Sequence, residues 1–411
     1  MKNIKAKLTL NQIQCLKNQT FSDNEPGTLL KDFSTLLDFI GSVGIPVSGK
    51  SHLIAMKQLP ELNQLMSKPL DVKLKRPQQK SYPHINGLYL LLRASGLTQI
   101  VVEKKEIKLL LDNKMLTNWT SLNPTERYFA LFYVWWYRGK AEIIGESGSD
   151  YGNGLYASLN CFLNIIGDGF EVKEKPNDAA SFKYRPGLYN LALLELFGFI
   201  QVEQDSTLSL ENWPITNIVP TTWGQALLNH FATHIAVFDE TDDGQSDDDL
   251  IELWDAELKT YLPALVNGLN QPEDKETRDG IYVFKVTLGS AYRKLAVPGT
   301  ASLEDLAISI LSAFNFDNDH LYEFVYKNRY GIIERIVHPF VEDEDLCTTD
   351  YVVGELPLYQ GMELVFHFDF GDDWMFQLVV DSIAGKDDIC KVPTVIEKKG
   401  APPEQYPDWD D

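Results

Sequence analysis

The sequence has 411 residues, of which 44% are hydrophobic and 11% aromatic. This composition excludes a disordered chain and allows about two or three domains with buried cores. The formal net charge of −22 disfavours contact with nucleic acid or anionic membranes unless a local basic patch intervenes. The cysteines lie far apart and form no CxxC pair, so the sequence indicates reduced thiols and no zinc framework. They are Cys15, Cys161, Cys347 and Cys390.

The sequence contains no pattern typical of membrane insertion or export. The longest apolar run, Tyr128–Tyr137, has about half the length that a helix needs to cross a bilayer. Met1–Lys5 lead into no apolar stretch, so a signal peptide is not indicated. We therefore expect a cytoplasmic protein without membrane contact.

Residues 1–65 are predicted to form a helical N-terminal segment that contains a phosphate-loop pattern, G-x-x-x-x-G-K-[ST], at Gly44–Ser51. Its candidate phosphate-binding residues are Gly44, Gly49, Lys50 and Ser51. Such a loop cradles phosphates when it follows a buried parallel strand and opens a helix. The preceding Leu36–Gly41 has the spacing of a helix end, so the nucleotide site stays a hypothesis that depends on this context.

The segment 67–81 is a basic island in an acidic chain, with Asp71 as its single acid. The cations of this island are Lys68, Lys73, Lys75, Arg76 and Lys80. Clustered cations can bind the phosphates of DNA, and Lys73, Lys75, Arg76 and Lys80 are the candidate contacts. A short charge run also serves as a solvated linker. The sequence leaves both interpretations open.

Residues 66–145 and 146–238 are predicted to be two similar units. Each has a helical run that starts at Gly-Leu-Tyr, and then a glycine, Gly96 or Gly198, that fits a left-handed helix cap. A short strand and a further helix follow. This order resembles winged-helix organisation, in which a basic recognition helix binds DNA.

The two units differ in charge. The helix of the second unit, Leu188–Phe197, contains Glu195 and no Lys or Arg, which favours a packing or interaction role. The first unit has four cations that keep DNA binding open, and these are Arg93, Lys104, Lys105 and Lys108.

Residues 239–277 are predicted to form an acidic linker followed by a helix. The run Asp239–Asp249 has Leu250 where a calcium loop needs its twelfth-position Glu. In the helix before it, His230 and His234 have the i, i+4 spacing of zinc ligands. No third ligand is indicated, so we interpret them as partly buried helix histidines.

Residues 278–411 have the pattern of an antiparallel α+β domain. Ile281–Leu288 and Arg293–Val297 predict a hairpin. A capping-box sequence, Ser302–Asp305, begins an amphipathic helix. Leu321–Tyr326 and Ile332–Val337 predict further strands. The predicted fold class is α+β, with a mainly helical, winged-helix-like N-terminal part and a β-grasp-like C-terminal domain.

The most sharply patterned stretch is Glu363–Asp381, in which two runs of period two flank Gly371-Asp372-Asp373. This pattern predicts a hairpin in which Gly371 supplies a positive φ and the Asp side chains bond turn amides. Turn chemistry thus explains these acids, but carboxylates near an imidazole also suit magnesium or manganese. The candidate metal cluster comprises His367, Asp369, Asp372, Asp373 and Glu404. We expect no cofactor, with a divalent metal as the alternative.

This last third of the chain resembles the plasmid pRiA4b ORF-3-like family. The shared motifs are Tyr292-Arg293-Lys294 with Val297-Pro298-Gly299, Asp319–Phe324, Asp369–Trp374 and Ala401-Pro402-Pro403-Glu404. They mark Arg293, His320 and Trp374 as family-motif residues. Position 294 departs from the family's second Arg, and the cysteine and glycines that often flank Pro-Pro-Glu are missing. The resemblance implies a fold, and some members are labelled transposon-passenger or resolvase-like proteins.

Three functions follow as hypotheses. The first is a non-catalytic interaction or regulatory protein with a protein partner. The second is a DNA-associated protein of mobile-element or regulatory context, which would use the island at Lys68–Lys80 and the first winged unit. The third is an enzyme that uses the Gly44–Ser51 loop or the Asp369–Asp373 acids.

Overall fold

The computed structural model describes residues 8–103, 106–146, 154–167, 169–205, 213–240, 247–270, 278–341, 346–385 and 392–406. The chain forms two compact units. The first unit comprises residues 1–99 and 107–271, and the second comprises residues 100–106 and 272–411. Helices and antiparallel sheets are both present, which confirms the α+β class. Within the described ranges, no helix has the length and apolar character of a membrane span.

The N-terminal part begins with helices and a small sheet. Its first elements are α1 (Leu10–Asn18), α2 (Leu29–Ile40), β1 (Ile45–Ser48), β2 (Leu53–Ile54), α3 (Leu59–Leu65), α4 (Pro83–Ala94), β3 (Thr98–Glu103), β4 (Glu106–Leu111), α5 (Asn113–Ser121) and α6 (Pro124–Arg138). The strand order is β2-β1-β4-β3. Residues 1–65 therefore contribute strands as well as the predicted helices.

The second half of the first unit again contains a helix followed by a hairpin. Its elements are α7 (Gly154–Cys161), β5 (Phe170–Glu171), α8 (Pro176–Ser181), α9 (Leu188–Leu196), β6 (Ile200–Gln204), β7 (Ile215–Pro220), α10 (Thr222–Glu240) and α11 (Asp247–Tyr261). The helix is α9, and the hairpin consists of β6 and β7. The strand order is β5-β7-β6. Six residues of the predicted acidic linker, 241–246, and Lys104 and Lys105 lie outside the described residues.

Helices α4 and α9 correspond to the helical runs of the two predicted similar units, 66–145 and 146–238, and each is followed by a hairpin. Gly96 and Gly198 end the two helices with the same φ of 74°, a left-handed conformation that glycine adopts without strain. The two helices pack against each other. At the crossing, a Cβ on Gly87 would lie 2.9 Å from the carbonyl oxygen of Tyr189, so only glycine allows this approach.

This packing buries the helices that would read DNA in a winged-helix protein. Every residue of α4 is buried, and Arg93 is 3% exposed. A recognition helix must present an exposed face to the groove. The expectation that Arg93 is available to DNA is therefore wrong, because α4 has α9 as its partner.

The aromatic core of the first unit centres on α6. Asn123 and Glu126 form a capping box at its start, with Glu126 N–H donating to Asn123 Oδ1 over 3.1 Å. The ring of Trp135 stacks on Phe197 with centroids 5.3 Å apart. Such aromatic pairs contribute about 0.5–1.5 kcal/mol beyond the area that they bury.

The second unit is built on one large antiparallel sheet. Its elements are β8 (Ile281–Leu288), β9 (Ala291–Pro298), α12 (Leu303–Phe314), β10 (Tyr322–Lys327), β11 (Ile333–Val337), β12 (Glu363–Phe368), β13 (Trp374–Ala384) and β14 (Thr394–Lys399). The strand order is β11-β10-β12-β13-β8-β9-β14. The predicted strands and hairpins of this domain are confirmed, whereas β14 was not predicted.

Helix α12 covers one face of this sheet. Asp305 N–H donates to Ser302 Oγ over 2.9 Å, which confirms the predicted capping box. Phe314 of α12 meets Phe376 at 5.3 Å between ring centroids. On the opposite face, Glu323 of β10 pairs with His367 of β12. The polar residues of the candidate site therefore lie on the face away from α12.

Candidate functional site

The hairpin tip, residues Asp369–Asp373, connects β12 and β13. Asp369 Oδ1 accepts the N–H of Gly371 at 3.0 Å, and Asp373 N–H donates to the Asp369 carbonyl oxygen at 2.7 Å. Asp369 and Asp373 have φ values of 55° and 58°, so the positive φ predicted for Gly371 falls on these two acids instead. Aspartate tolerates this region because its short side chain bonds the local backbone. The tip is thereby fixed by its own side chains.

Asp369 also faces His320, one of the family-motif residues. Its Oδ2 lies 3.4 Å from His320 Nε2, and the two side chains are 9% and 43% exposed. Asp319, the residue before His320, accepts a hydrogen bond from the hydroxyl of Tyr406 at 2.6 Å. This bond lowers the pKa of Asp319 and raises the pKa of Tyr406 to about 12. The C-terminal segment is thus tied to the loop before β10.

His367 lies between two carboxylates. Its Nδ1 is 3.2 Å from Glu323 Oε1, and its Nε2 is 2.9 Å from Asp373 Oδ1. Glu323 also accepts Arg335 at 2.5 Å. Nδ1 is hydrogen-bonded to Glu323, whereas Nε2 is buried and makes no hydrogen bond among the described residues, although Asp373 lies close to it. Because Nε2 is buried, it is not accessible to a substrate as a base.

Arg293 has a structural role. Its Nε donates to Ala313 O at 2.8 Å, and one terminal nitrogen reaches the carbonyl oxygens of Tyr292, Lys399 and Gly400. The side chain is buried and its guanidinium lies 4.8 Å from the Phe314 ring. Arg293 therefore joins β9, the end of α12 and the end of β14.

Trp374 and Glu404 complete the predicted set. The ring of Trp374 packs edge-on against Phe316 at 5.0 Å between centroids. Its indole nitrogen has no hydrogen-bond partner among the described residues. Glu404 is exposed. Trp374 thus packs against the edge of the hydrophobic core next to the hairpin tip.

The hairpin tip does not gather three metal ligands. Each of its histidines lies near two carboxylates, His320 near Asp319 and Asp369, and His367 near Glu323 and Asp373. Within the described part of the chain, three ligand atoms that lie within 4.8 Å of one another occur at His230, His234 and Glu257 of the first unit. Glu257 was missed by sequence reasoning, since no spacing rule relates residues on two helices whose relative register is unknown.

The Gly44–Ser51 motif lies on an antiparallel hairpin. Strand β1 occupies Ile45–Ser48 inside the motif and pairs with β2 and with β4. Gly49 is followed by a turn and then by β2, not by a helix. A phosphate loop needs strand, loop and helix in that order, and the backbone here has a different arrangement.

A cation of the basic island forms an ion pair within the protein, and the other four are exposed. Lys73, Lys75, Arg76 and Lys80 are exposed. Lys68 instead pairs with buried Glu195 at 2.5 Å. Glu195 also lies 2.8 Å from His84 Nε2, across the interface of α4 and α9. Burial by itself would raise the pKa of Glu195, but the contacts with His84 and Lys68 hold it below the usual value.

Comparison with known proteins confirms the resemblance for the second unit. Residues 280–408 match the model of the family described as plasmid pRiA4b ORF-3-like protein. A search of curated proteins gave no match. A solved structure of a protein of unknown function from Methanosarcina mazei Go1 is similar over 31% of this chain and 74% of that one, at 21% identity and a TM-score of 0.28.

Proposed function

We propose that this protein, which carries a pRiA4b ORF-3-like domain at residues 280–408, is a non-catalytic interaction protein whose hairpin tip docks a basic and apolar segment of a partner protein. The observation that carries the proposal is the exposure of the large apolar side chain of Phe370 at the hairpin tip. Its side chain is 47% exposed at the centre of a loop that Asp369 fixes. An aromatic residue held on a preformed loop loses little conformational entropy on binding.

Phe370 belongs to a small apolar patch. The patch comprises Leu321, Phe370 and Met375, which are 37%, 47% and 42% exposed. Leu321 O accepts the N–H of Asp369 at 3.0 Å, and the rings of His367 and Phe370 meet at 4.9 Å. Apolar side chains of this kind, with an aromatic at the centre, are the usual anchors of protein interfaces.

Acids surround the patch and indicate the charge of the partner. Asp319, Asp372 and Asp373 lie at or next to the tip, and all three are exposed. The whole chain has a net charge of −22. A partner segment with Lys or Arg around an apolar centre would therefore match the patch in both polarity and charge.

The contacts of the candidate functional residues and of the family-motif residue Arg293 support a non-catalytic role. Asp369 caps the turn, Arg293 binds carbonyl oxygens, and His367 is held between carboxylates. General acid–base catalysis needs a group directed at the substrate. These three side chains instead contact other residues of the domain.

Affinity purification of the tagged full chain from its own cells tests this proposal, with Phe370→Asp as the variant and Tyr184→Asp as the control. Tyr184 is an aromatic of the first unit with 74% exposure. We expect one stoichiometric protein partner with the wild type and the control, and about tenfold or greater loss with Phe370→Asp, as for a hot-spot residue. Recovery of no stoichiometric partner, or equal binding by Phe370→Asp, would contradict the proposal.

DNA association is the second candidate, and it rests on the four exposed cations Lys73, Lys75, Arg76 and Lys80. Burial of α4 leaves this segment as the contact surface, in place of a groove-reading helix. Such binding depends on phosphates and falls steeply with salt concentration. Affinity for duplex DNA that is insensitive to salt, or unchanged when Lys75 and Arg76 are both replaced by Gln, would rule this contact out.

A further inference from the structure

We propose that His230, His234 and Glu257 form a binding site for a divalent transition-metal ion such as zinc, and that Trp254 limits its affinity by holding His230 in the tautomer that cannot bind the ion. The histidines lie on α10 and the glutamate on α11. The site belongs to the first unit and is separate from the hairpin tip.

The distances from the two histidines to the Glu257 carboxylate suit a small metal ion, and the three ligand atoms lie within 4.8 Å of one another. His230 Nε2 lies 3.3 Å from Glu257 Oε1, and His234 Nε2 lies 3.1 Å from Glu257 Oε2. Ligands bound to zinc at about 2.0–2.2 Å in a tetrahedron are about 3.3–3.5 Å apart. The two imidazoles also have the i, i+4 relation that places them on one helix face.

The hydrogen bond on the far side of His234 prepares its ligand atom. His234 Nδ1 lies 3.0 Å from the His230 carbonyl oxygen. A carbonyl oxygen only accepts, so Nδ1 carries the proton and the neutral ring has its lone pair on Nε2. This lone pair faces a carboxylate oxygen of Glu257 at 3.1 Å, so either a proton or a metal ion between the two atoms stabilises the pair. Metal-binding histidines commonly have a carbonyl partner of this kind.

His230 is held in the opposite tautomer. Trp254 Nε1 lies 2.7 Å from His230 Nδ1, and an indole N–H can only donate. Nδ1 is therefore the acceptor, and the proton of the neutral ring is on Nε2. Nε2 can bind a metal only after this proton is lost to solvent and Nδ1 takes one up. The new Nδ1–H would then oppose the Trp254 N–H, which costs metal affinity.

Ligand chemistry and exposure favour a zinc-class ion over magnesium or calcium. Two imidazole nitrogens and one carboxylate suit zinc, copper or nickel, whereas magnesium and calcium prefer oxygen ligands. The side chain of His230 is 3% exposed, that of His234 is 19% exposed and that of Glu257 is 47% exposed. The ion can therefore enter from solvent on the Glu257 side and keep water as a further ligand.

Zinc titration of the chelator-treated full chain by isothermal calorimetry tests the site. We expect one zinc per chain, and about tenfold or greater weakening in His234→Ala and in Glu257→Gln. His320→Ala is the control, because it removes a 43% exposed histidine of the second unit, and it should bind zinc as the wild type does. No binding by the wild type below about 1 mM zinc, or undiminished binding by His234→Ala, would overturn the proposal.

Trp254→Phe tests the tautomer argument. Partners of metal ligands commonly change metal affinity by about 10–100-fold, and here removal of the opposing N–H should tighten zinc binding by about tenfold. Trp254 is fully buried, so this variant could fail to fold. Nitrogen chemical shifts of the wild-type histidines then provide the readout. We expect His230 to change from the Nε2–H to the Nδ1–H form on zinc addition, and an unchanged tautomer would refute its role as a ligand.

Discussion

Glu195 and His84 lie 2.8 Å apart in the interface of α4 and α9, although 111 residues separate them in the sequence. Both side chains are almost completely buried, at 4% and 7% exposed. Lys68 reaches the other oxygen of the same carboxylate. A buried carboxylate is tolerated here because each of its oxygens has a cationic or hydrogen-bonding partner.

We expect Glu195→Gln to destabilise the protein by about 1–3 kcal/mol, since it removes charge-assisted bonds from a buried site. The urea unfolding midpoint, followed by tryptophan fluorescence, measures this loss. Glu203→Gln is the matched control, because Glu203 is an exposed acid on the adjacent β6. Equal midpoints for wild type and Glu195→Gln would show that the pair adds nothing to stability.

The stability difference between wild type and Glu195→Gln should depend on pH. The folded-state pKa of Glu195 is lowered from 4.5, so its ionised form is favoured in the folded state. This contribution is present above pH 4.5 and is lost as the pH falls through the folded-state pKa. The difference in unfolding midpoint should therefore shrink on acidification below pH 4.5. A difference that grows in acid would contradict the assigned direction.

Gly87→Ala should destabilise the crossing of α4 and α9. Alanine has the higher helix propensity by about 1 kcal/mol, but its Cβ would lie 2.9 Å from Leu193 Cγ and from the Tyr189 carbonyl oxygen. We expect a net loss of about 1–3 kcal/mol because a packed interface must open, measured as a lower thermal midpoint. Gly268→Ala, where no atom lies within 4 Å of the added Cβ, is the control. A higher midpoint for Gly87→Ala would show that the helices can separate without cost.

Arg293→Lys should loosen the second unit. Lysine has a single ammonium group and cannot reproduce the planar fork, so carbonyl oxygens of Ala313, Lys399 and Gly400 would lose their donor. We expect a loss of about 2–4 kcal/mol from unsatisfied buried groups. Hydrogen exchange should become faster in β14 and at the end of α12. Arg76→Lys, at an exposed position, should leave exchange in both elements unchanged.

Asp369 should tolerate Asn but not Ala. Asparagine keeps the side-chain acceptor for Gly371 N–H and accepts a φ of 55°. Alanine loses the acceptor and adds left-handed strain of about 1–2 kcal/mol. We expect Asp369→Ala to lower the thermal midpoint clearly and Asp369→Asn to change it little. Equal effects of the two substitutions would show that backbone conformation at the tip does not depend on this side chain.

The sequence by itself predicted most elements of the second unit, though not β14, and the resemblance of this region to the pRiA4b ORF-3-like family. Some patterns depend only on residues that are close in the sequence, so they can be recognised before the fold is known. They are the period-two strands, the Ser302–Asp305 capping box and the hairpin at Glu363–Asp381. The glycine caps at Gly96 and Gly198 were predicted for the same reason, because a left-handed residue after a helix is a local requirement.

Only the tertiary structure decided which residues meet across the chain. It buried α4 against α9, brought Glu257 to His230 and His234, and placed β14 at the sheet edge. These contacts depend on the relative register and crossing of separate elements, and no local periodicity encodes them. The Gly44–Ser51 motif shows that a local sequence match does not establish a backbone conformation. Its residues match the pattern of a phosphate loop, but its backbone pairs as antiparallel strands.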